Sequence, residues 1–195
     1  QKYFLELIST GTIKQITPSG TWYESREKFD ESQVGVPLKE HKNGGFELIS
    51  GKAQFSGKIL GGCIDSIYDM FDGERYEDMP AVCEKYGLFP SLDDWKDKIL
   101  LLESSEELMP PEKYAKALDY LKSTGMFGVI SGIIAGKPMN GKYHDEYKRL
   151  LAEKTAEYEL PVLCNINIGH APPRCIIPFG VTAEVDAEKQ TISFA

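Results

Sequence analysis

The sequence predicts an α/β domain built on a mixed sheet, and three observations carry that prediction. The runs "KILLL", "GVISGIIAG" and "LPVLCNINI" are short, aliphatic and continuous, as strands buried on both faces are. The segments after the first two have helical rather than alternating periodicity. The tail "VTAEVDAEKQTISF" alternates apolar and polar residues on both sides of a polar turn, the mark of an antiparallel hairpin. Strands separated by helices and finished by a hairpin give a sheet of mixed direction.

Taken in order, "KYFLELI" reads as a helix and "ITPSGTW" as a short strand or turn. Residues 24–45 are polar and turn-rich, which predicts a mobile connection. Residues 1–45 are therefore expected to be a linking segment, and residues 46–195 the domain itself. "AQFSGKILGG" is a strand ending in a glycine pair, and "CIDSIYDMF" a helix opening at that pair. A helix over 110–124 has Pro111 in its first turn, Tyr114, Ala117, Leu118 and Leu121 on one face, and Gly125 as its stop. A later helix carries Tyr143, Tyr147, Leu150, Leu151 and Tyr158 on one side.

Composition narrows the function. The chain has 195 residues, 42% of them hydrophobic, enough for a real core. Its net charge of -8 argues against a nucleic-acid partner, whose phosphates demand a basic surface. The four cysteines have no paired spacing, so reduced core thiols are expected in a cytoplasmic protein. No apolar run approaches the ~20 residues that span a bilayer, so no membrane partner is expected. The start at Gln1, already in helical sequence, reads as a cut from a longer protein.

Two of the aliphatic strands end in groups that carry chemistry. "ILLLE" ends in Glu103, and "LCNINIGH" ends in His170. Sites gather at the carboxyl ends of strands in α/β sheets, so these two could meet. A carboxylate on one imidazole nitrogen fixes the tautomer and frees the other nitrogen to take a proton from a nucleophile. The alternatives stay open: Glu103 as a solvated strand-end carboxylate, His170 as a structural histidine in an exposed turn. His41 and His144 read as solvated residues.

Other motifs carry less. Cys164, His170 and Cys175 match no common zinc spacing, and neither metal nor cofactor is expected. "GIIAGKP" departs from the phosphate-binding loop in spacing and in Pro138, which stands where Ser or Thr is needed. No serine lies in a Gly-x-Ser-x-Gly context. Cys63, at the start of a helix, is left as a thiol whose pKa the helix end could lower. Trp22 could stack on a planar ligand or plug the edge of the core.

Together "GKILGGCIDSI", "KILLLESSEE", "GVISGIIAGKP" and "NINIGHAPPRCIIPFGVTAEVD" resemble the C-terminal domain of the LD-carboxypeptidase family of serine peptidases, and within it the microcin C immunity branch. The resemblance runs from Ile16 to the end. It implies a swivelling β/β/α fold and a Ser–Glu–His triad, with Glu103 and His170 as the Glu and His. The serine and oxyanion amides would lie in an N-terminal, flavodoxin-like nucleophile domain that this chain lacks, and residues 1–45 would connect to it. The family's Gly-Gly-Asn-Leu block stands here as Gly61-Gly62-Cys63-Ile64. The resemblance also implies a homodimer and a small peptide or aminoacyl-nucleotide substrate, with Trp22 as the residue that stacks on the base.

Overall fold

The computed structural model describes residues 2–195. In chain order its elements are α1 (Lys2–Thr10), β1 (Gln15–Ile16), β2 (Thr21–Tyr23), β3 (Glu40–Lys42), β4 (Glu47–Ser50), β5 (Gln54–Cys63), α2 (Ile64–Asp72), α3 (Met79–Tyr86), α4 (Leu92–Trp95) and β6 (Lys98–Glu103). There follow α5 (Pro111–Ser123), β7 (Gly132–Gly136), α6 (His144–Thr155), β8 (Val162–Ile166), β9 (Thr182–Asp186) and β10 (Thr191–Phe194). Eight strands form one mixed sheet in the order β1-β10-β9-β5-β6-β7-β8-β4, and β2 pairs with β3 as a separate ribbon. The four central strands, β5 to β8, run parallel, while β9, β10, β1 and β4 are antiparallel additions.

The aliphatic runs are continuous because both faces of the central strands are covered. Along β6, Leu100 and Leu102 face one core with Tyr114, Leu118, Leu121, Tyr147 and Leu151 from α5 and α6. Ile99 and Leu101 face the opposite core with Ile13, Ile16, Ile59, Ile134 and Leu163. A strand buried on both sides has no polar alternate positions, which is why it lacks a period of two. Fully burying each of these side chains contributes about 1.5–3 kcal/mol.

The expected helices are present with small shifts. Pro111 opens α5, and Gly125, at φ 82°, stops it. Tyr158 falls beyond α6 in a short 3-10 turn and packs edge-on against Phe127, rather than extending the helix face. Helices α3 and α4, and strand β4, were not read from the sequence. β4 is a four-residue edge strand, and α4 is a single turn held by a Ser91–Asp94 capping box.

Residues 1–45, expected to be connection only, also build the domain. β1 pairs with β10 at the sheet edge, and Ile13 and Ile16 are fully buried in the second core. The polar stretch 24–45 contains β3, and side-chain hydrogen bonds hold the ribbon to β8. Asn167 Oδ1 accepts from the Ser19 amide at 2.8 Å, and Asn165 Nδ2 donates to Asn43 Oδ1 at 2.8 Å. Among the described residues, no helix is long and apolar enough to cross a membrane.

Candidate active site

Glu103 closes β6, and His170 follows β8 by four residues, with β7 lying between the two strands. They meet because the intervening positions lack side chains. A Cβ on Gly136, at the end of β7, would come 2.8 Å from the Ile168 carbonyl and 3.3 Å from Glu103 Cβ. Gly169 has φ +81°, and a Cβ there would lie 2.6 Å from Glu103 Oε2. Glycine at these two positions lets the β8 loop close over the end of β6.

His170 Nδ1 stands 2.8 Å from Glu103 Oε2 and 3.1 Å from the Ser104 carbonyl. A carboxylate and a carbonyl are both acceptors, so Nδ1 carries the proton and donates. That fixes the tautomer and leaves Nε2 as the basic nitrogen. Nε2 lies 2.9 Å from Glu106 Oε2, so the imidazole stands between an inner and an outer carboxylate. The Glu103 side chain is 14% exposed and that of Glu106 65%, so the inner carboxylate is fixed and the outer one is free to leave.

Asp65 was not read from the sequence. It is buried on the first turn of α2 and accepts from both the amide and the hydroxyl of Ser105 at 3.0 Å. This clasp anchors the loop that begins at Glu103 and carries Glu106. The sequence signal was faint: an acidic residue two places after a helix-opening cysteine, with no spacing to tie it to Ser105.

The remaining candidates fall out differently. Cys63 pairs in register with Glu103 at the ends of β5 and β6. Burial, with the nearby Glu103 and Asp65 carboxylates, pushes its thiol up to about 11. The Ser66 amide in the first turn of α2 lowers it by less than burial raises it, so the expectation of an activated Cys63 is corrected. Cys164 lies in the aliphatic core and burial pushes its thiol up to about 12. Among the described residues, no group of three or more His, Cys, Asp or Glu side chains is placed to hold a metal ion.

Trp22 lies half-buried in the β2–β3 ribbon, which leans on the loop after His170 through the Tyr23 amide donating to the Pro172 carbonyl at 2.9 Å. Its ring stacks on His41, with centroids 4.3 Å apart and planes 13° apart. His41 is therefore not a solvated loop residue: it carries this stack and a hydrogen-bond contact with Glu24 at 2.8 Å. His144 also differs from expectation, being half-buried at 3.4 Å from Glu47. Burial, with Lys137 and Lys148 nearby, holds its pKa below the usual histidine value.

Residues 56–185 match the family described as the LD-carboxypeptidase C-terminal domain. The microcin C7 self-immunity protein MccF of Escherichia coli is 24% identical over 176 residues, which is 88% of this chain and 45% of that protein. A crystal structure of an MccF-like protein from Streptococcus pneumoniae in complex with AMP is 52% identical, with a TM-score of 0.96, covering 100% of this chain and 56% of that one. A structure of MccF in complex with glutamyl sulfamoyl guanosine, 20% identical with a TM-score of 0.74, shares the fold over 100% of this chain and 54% of its own. The chain spans about half the length of the curated relatives it matches. Mixed sheet, strand-end Glu and His, and matched family agree: this chain belongs to the LD-carboxypeptidase family, as its C-terminal domain in an MccF-like form.

Proposed function

We propose that this chain is the Glu- and His-bearing half of a cytoplasmic, homodimeric, MccF-like serine carboxypeptidase. The observation that carries the reading is the 2.8 Å hydrogen bond from His170 Nδ1 to the half-buried Glu103, which leaves Nε2, now in contact with the exposed Glu106, as the nitrogen that can act as base. Glu103 holds the imidazole in one tautomer and stabilises its charge once a proton arrives. Nε2 takes that proton from a serine hydroxyl supplied by an N-terminal nucleophile domain, then returns it to the leaving amine. Residues 1–45 link the two domains while their β1, Ile13 and Ile16 pack into this one. Glu106 leaves Nε2 when the serine takes its place. Without serine and oxyanion donors the domain alone is inactive, since the base supplies only part of the rate.

The substrate is an amide joining an aminoacyl or peptidyl group to a nucleotide. The Streptococcus pneumoniae relative was solved with AMP and MccF with glutamyl sulfamoyl guanosine, which supports a nucleotide-bearing substrate. The Trp22–His41 pair is the platform for the base, which either extends the stack over His41 or takes its place against Trp22.

In the full-length enzyme, His170→Ala is expected to lower kcat/KM by about 10²–10⁴-fold with the melting temperature unchanged. Activity within a few-fold of the native value would remove His170 from the base role. Assays on an aminoacyl-sulfamoyl nucleotide and on a muropeptide tetrapeptide settle the substrate. Turnover of the tetrapeptide alone would make the protein a murein LD-carboxypeptidase.

A further inference from the structure

Lys137 is the one cation among the buried residues described, at 8% exposure. It follows directly on β7, beside the strand end that separates Glu103 from His170. Its backbone is held by the Lys137 amide donating to the Ile166 carbonyl at 3.2 Å. Its ammonium, by contrast, makes no hydrogen bond or ion pair among the described residues, and rests over the Trp22 ring, 5.0 Å from the centroid. A lysine this deeply set without a paired anion gives up part of its hydration, and a ring face offsets only part of that loss.

The carboxylates nearby are already committed. Glu47 pairs with Lys148 at 2.7 Å and with His144 at 3.4 Å, and Asp145 pairs with Lys148 at 2.9 Å. Among the half-buried lysines, Lys113, Lys122, Lys148 and Lys154 sit on carboxylates and Lys98 donates to the Lys96 carbonyl, so each has a polar partner that Lys137 lacks among the described residues. Burial lowers the Lys137 pKa from the usual lysine value, as expected of a cation lacking its counter-ion. Gly141, whose Cβ would stand 3.3 Å from the edge of the Trp22 ring, keeps the same corner free of side chain.

We propose that Lys137 binds the anionic phosphate, or isosteric sulfamate, of a nucleotide ligand whose base lies on the Trp22–His41 platform. The ammonium exchanges the Trp22 ring for the phosphate oxygens, and the ring is released toward the base. Platform and cation thus form one subsite, with an aromatic surface for the nucleoside and a single charge for the group beside it. This inference rests on the proposed nucleotide-bearing substrate and names the residue that reads its charge.

The test is calorimetric titration of AMP and of adenosine into the full-length protein and its Lys137→Met and Lys137→Arg variants, with inorganic phosphate as a further ligand. The native protein is expected to bind AMP about tenfold to a hundredfold more tightly than adenosine. Lys137→Met should erase that preference and leave adenosine binding unchanged, while Lys137→Arg should keep most of it. AMP should also change the Trp22 contribution to intrinsic fluorescence in the native protein, and not in Lys137→Met. If Lys137→Met keeps the native preference for AMP, Lys137 does not read the phosphate. If it weakens AMP and adenosine equally, Lys137 only props the ring. If the native protein binds neither nucleoside nor nucleotide, the nucleotide reading falls and this subsite with it. Binding of inorganic phosphate as tight as AMP would make the site a free-anion site instead.

Discussion

Gly169 is where the smallest chemical change should have the largest local effect. A methyl group there would stand 2.6 Å from Glu103 Oε2, on a backbone already at φ +81°. Gly169→Ala must therefore push the β8 loop away from Glu103 and break the hydrogen bond to His170. We expect the full-length enzyme to lose at least about tenfold in kcat/KM, and the domain to lose about 1–3 kcal/mol of stability. Enzyme kinetics and urea unfolding measure the two, and a fully active Gly169→Ala would show that the contact can relax at no cost. Cys63 gives a second prediction at this scale. With its thiol pushed up to about 11, it is protonated at neutral pH and should react slowly with iodoacetamide, accelerating only as pH rises toward about 11. Rapid alkylation at pH 7 would restore it as a nucleophile candidate.

At the scale of elements, the ribbon of β2 and β3 depends on two asparagines of the β8 segment. Asn165 adopts φ 65° at the place where the β7–β8 register shifts, and that bulge turns its amide toward Asn43. Asn167 accepts the Ser19 amide. The same short stretch thus aims His170 and holds the platform carrying Trp22. Asn167→Ala removes one of these ties at a cost of about 1 kcal/mol. Amide hydrogen exchange should then speed up over residues 21–23 and 40–42 while β6 and β7 stay protected. Unchanged exchange in the ribbon would mean that the Asn165 tie and the Tyr23–Pro172 bond suffice. Helix α2 has a matching task, since Asp65 on its first turn clasps Ser105 and shapes the loop bearing Glu106.

For the whole molecule, the boundary between connection and domain lies earlier than sequence periodicity suggested. Ile13 and Ile16 are 1% and 0% exposed and close the second core, and β1 covers the edge of β10. A chain begun at residue 46 would lose both isoleucines and β1. Each missing apolar side chain costs about 2–5 kcal/mol, comparable with the stability of an entire domain. Such a truncation should show no cooperative thermal transition, whereas residues 1–195 should melt in one step. Cooperative melting from residue 46 would return the segment to the status of a linker.

Much of this organisation could be read from residue order alone. The aliphatic runs of β6, β7 and β8, the amphipathic α5 and the alternating hairpin of β9 and β10 have strong local signals, because burial on one or both faces leaves its period in the sequence. The strand-end positions of Glu103 and His170 followed from those runs. The rest depends on contacts between residues far apart in the chain. β1 and β4 are too short to show a period, and α4 is one turn held by its cap. Asp65 meets Ser105 across 40 residues, and His41 reaches Trp22 only through strand pairing. Sequence by itself determined the α/β class, the two residues that could form a base and its partner, and the family resemblance carried by their flanking blocks. Only the tertiary structure decided that Glu103 and His170 meet, because contact across an intervening strand needs the missing side chains of Gly136 and Gly169. It alone also left Lys137 buried against an aromatic ring with no paired carboxylate among the described residues, since charge pairing depends on which side chains converge and not on their order along the chain.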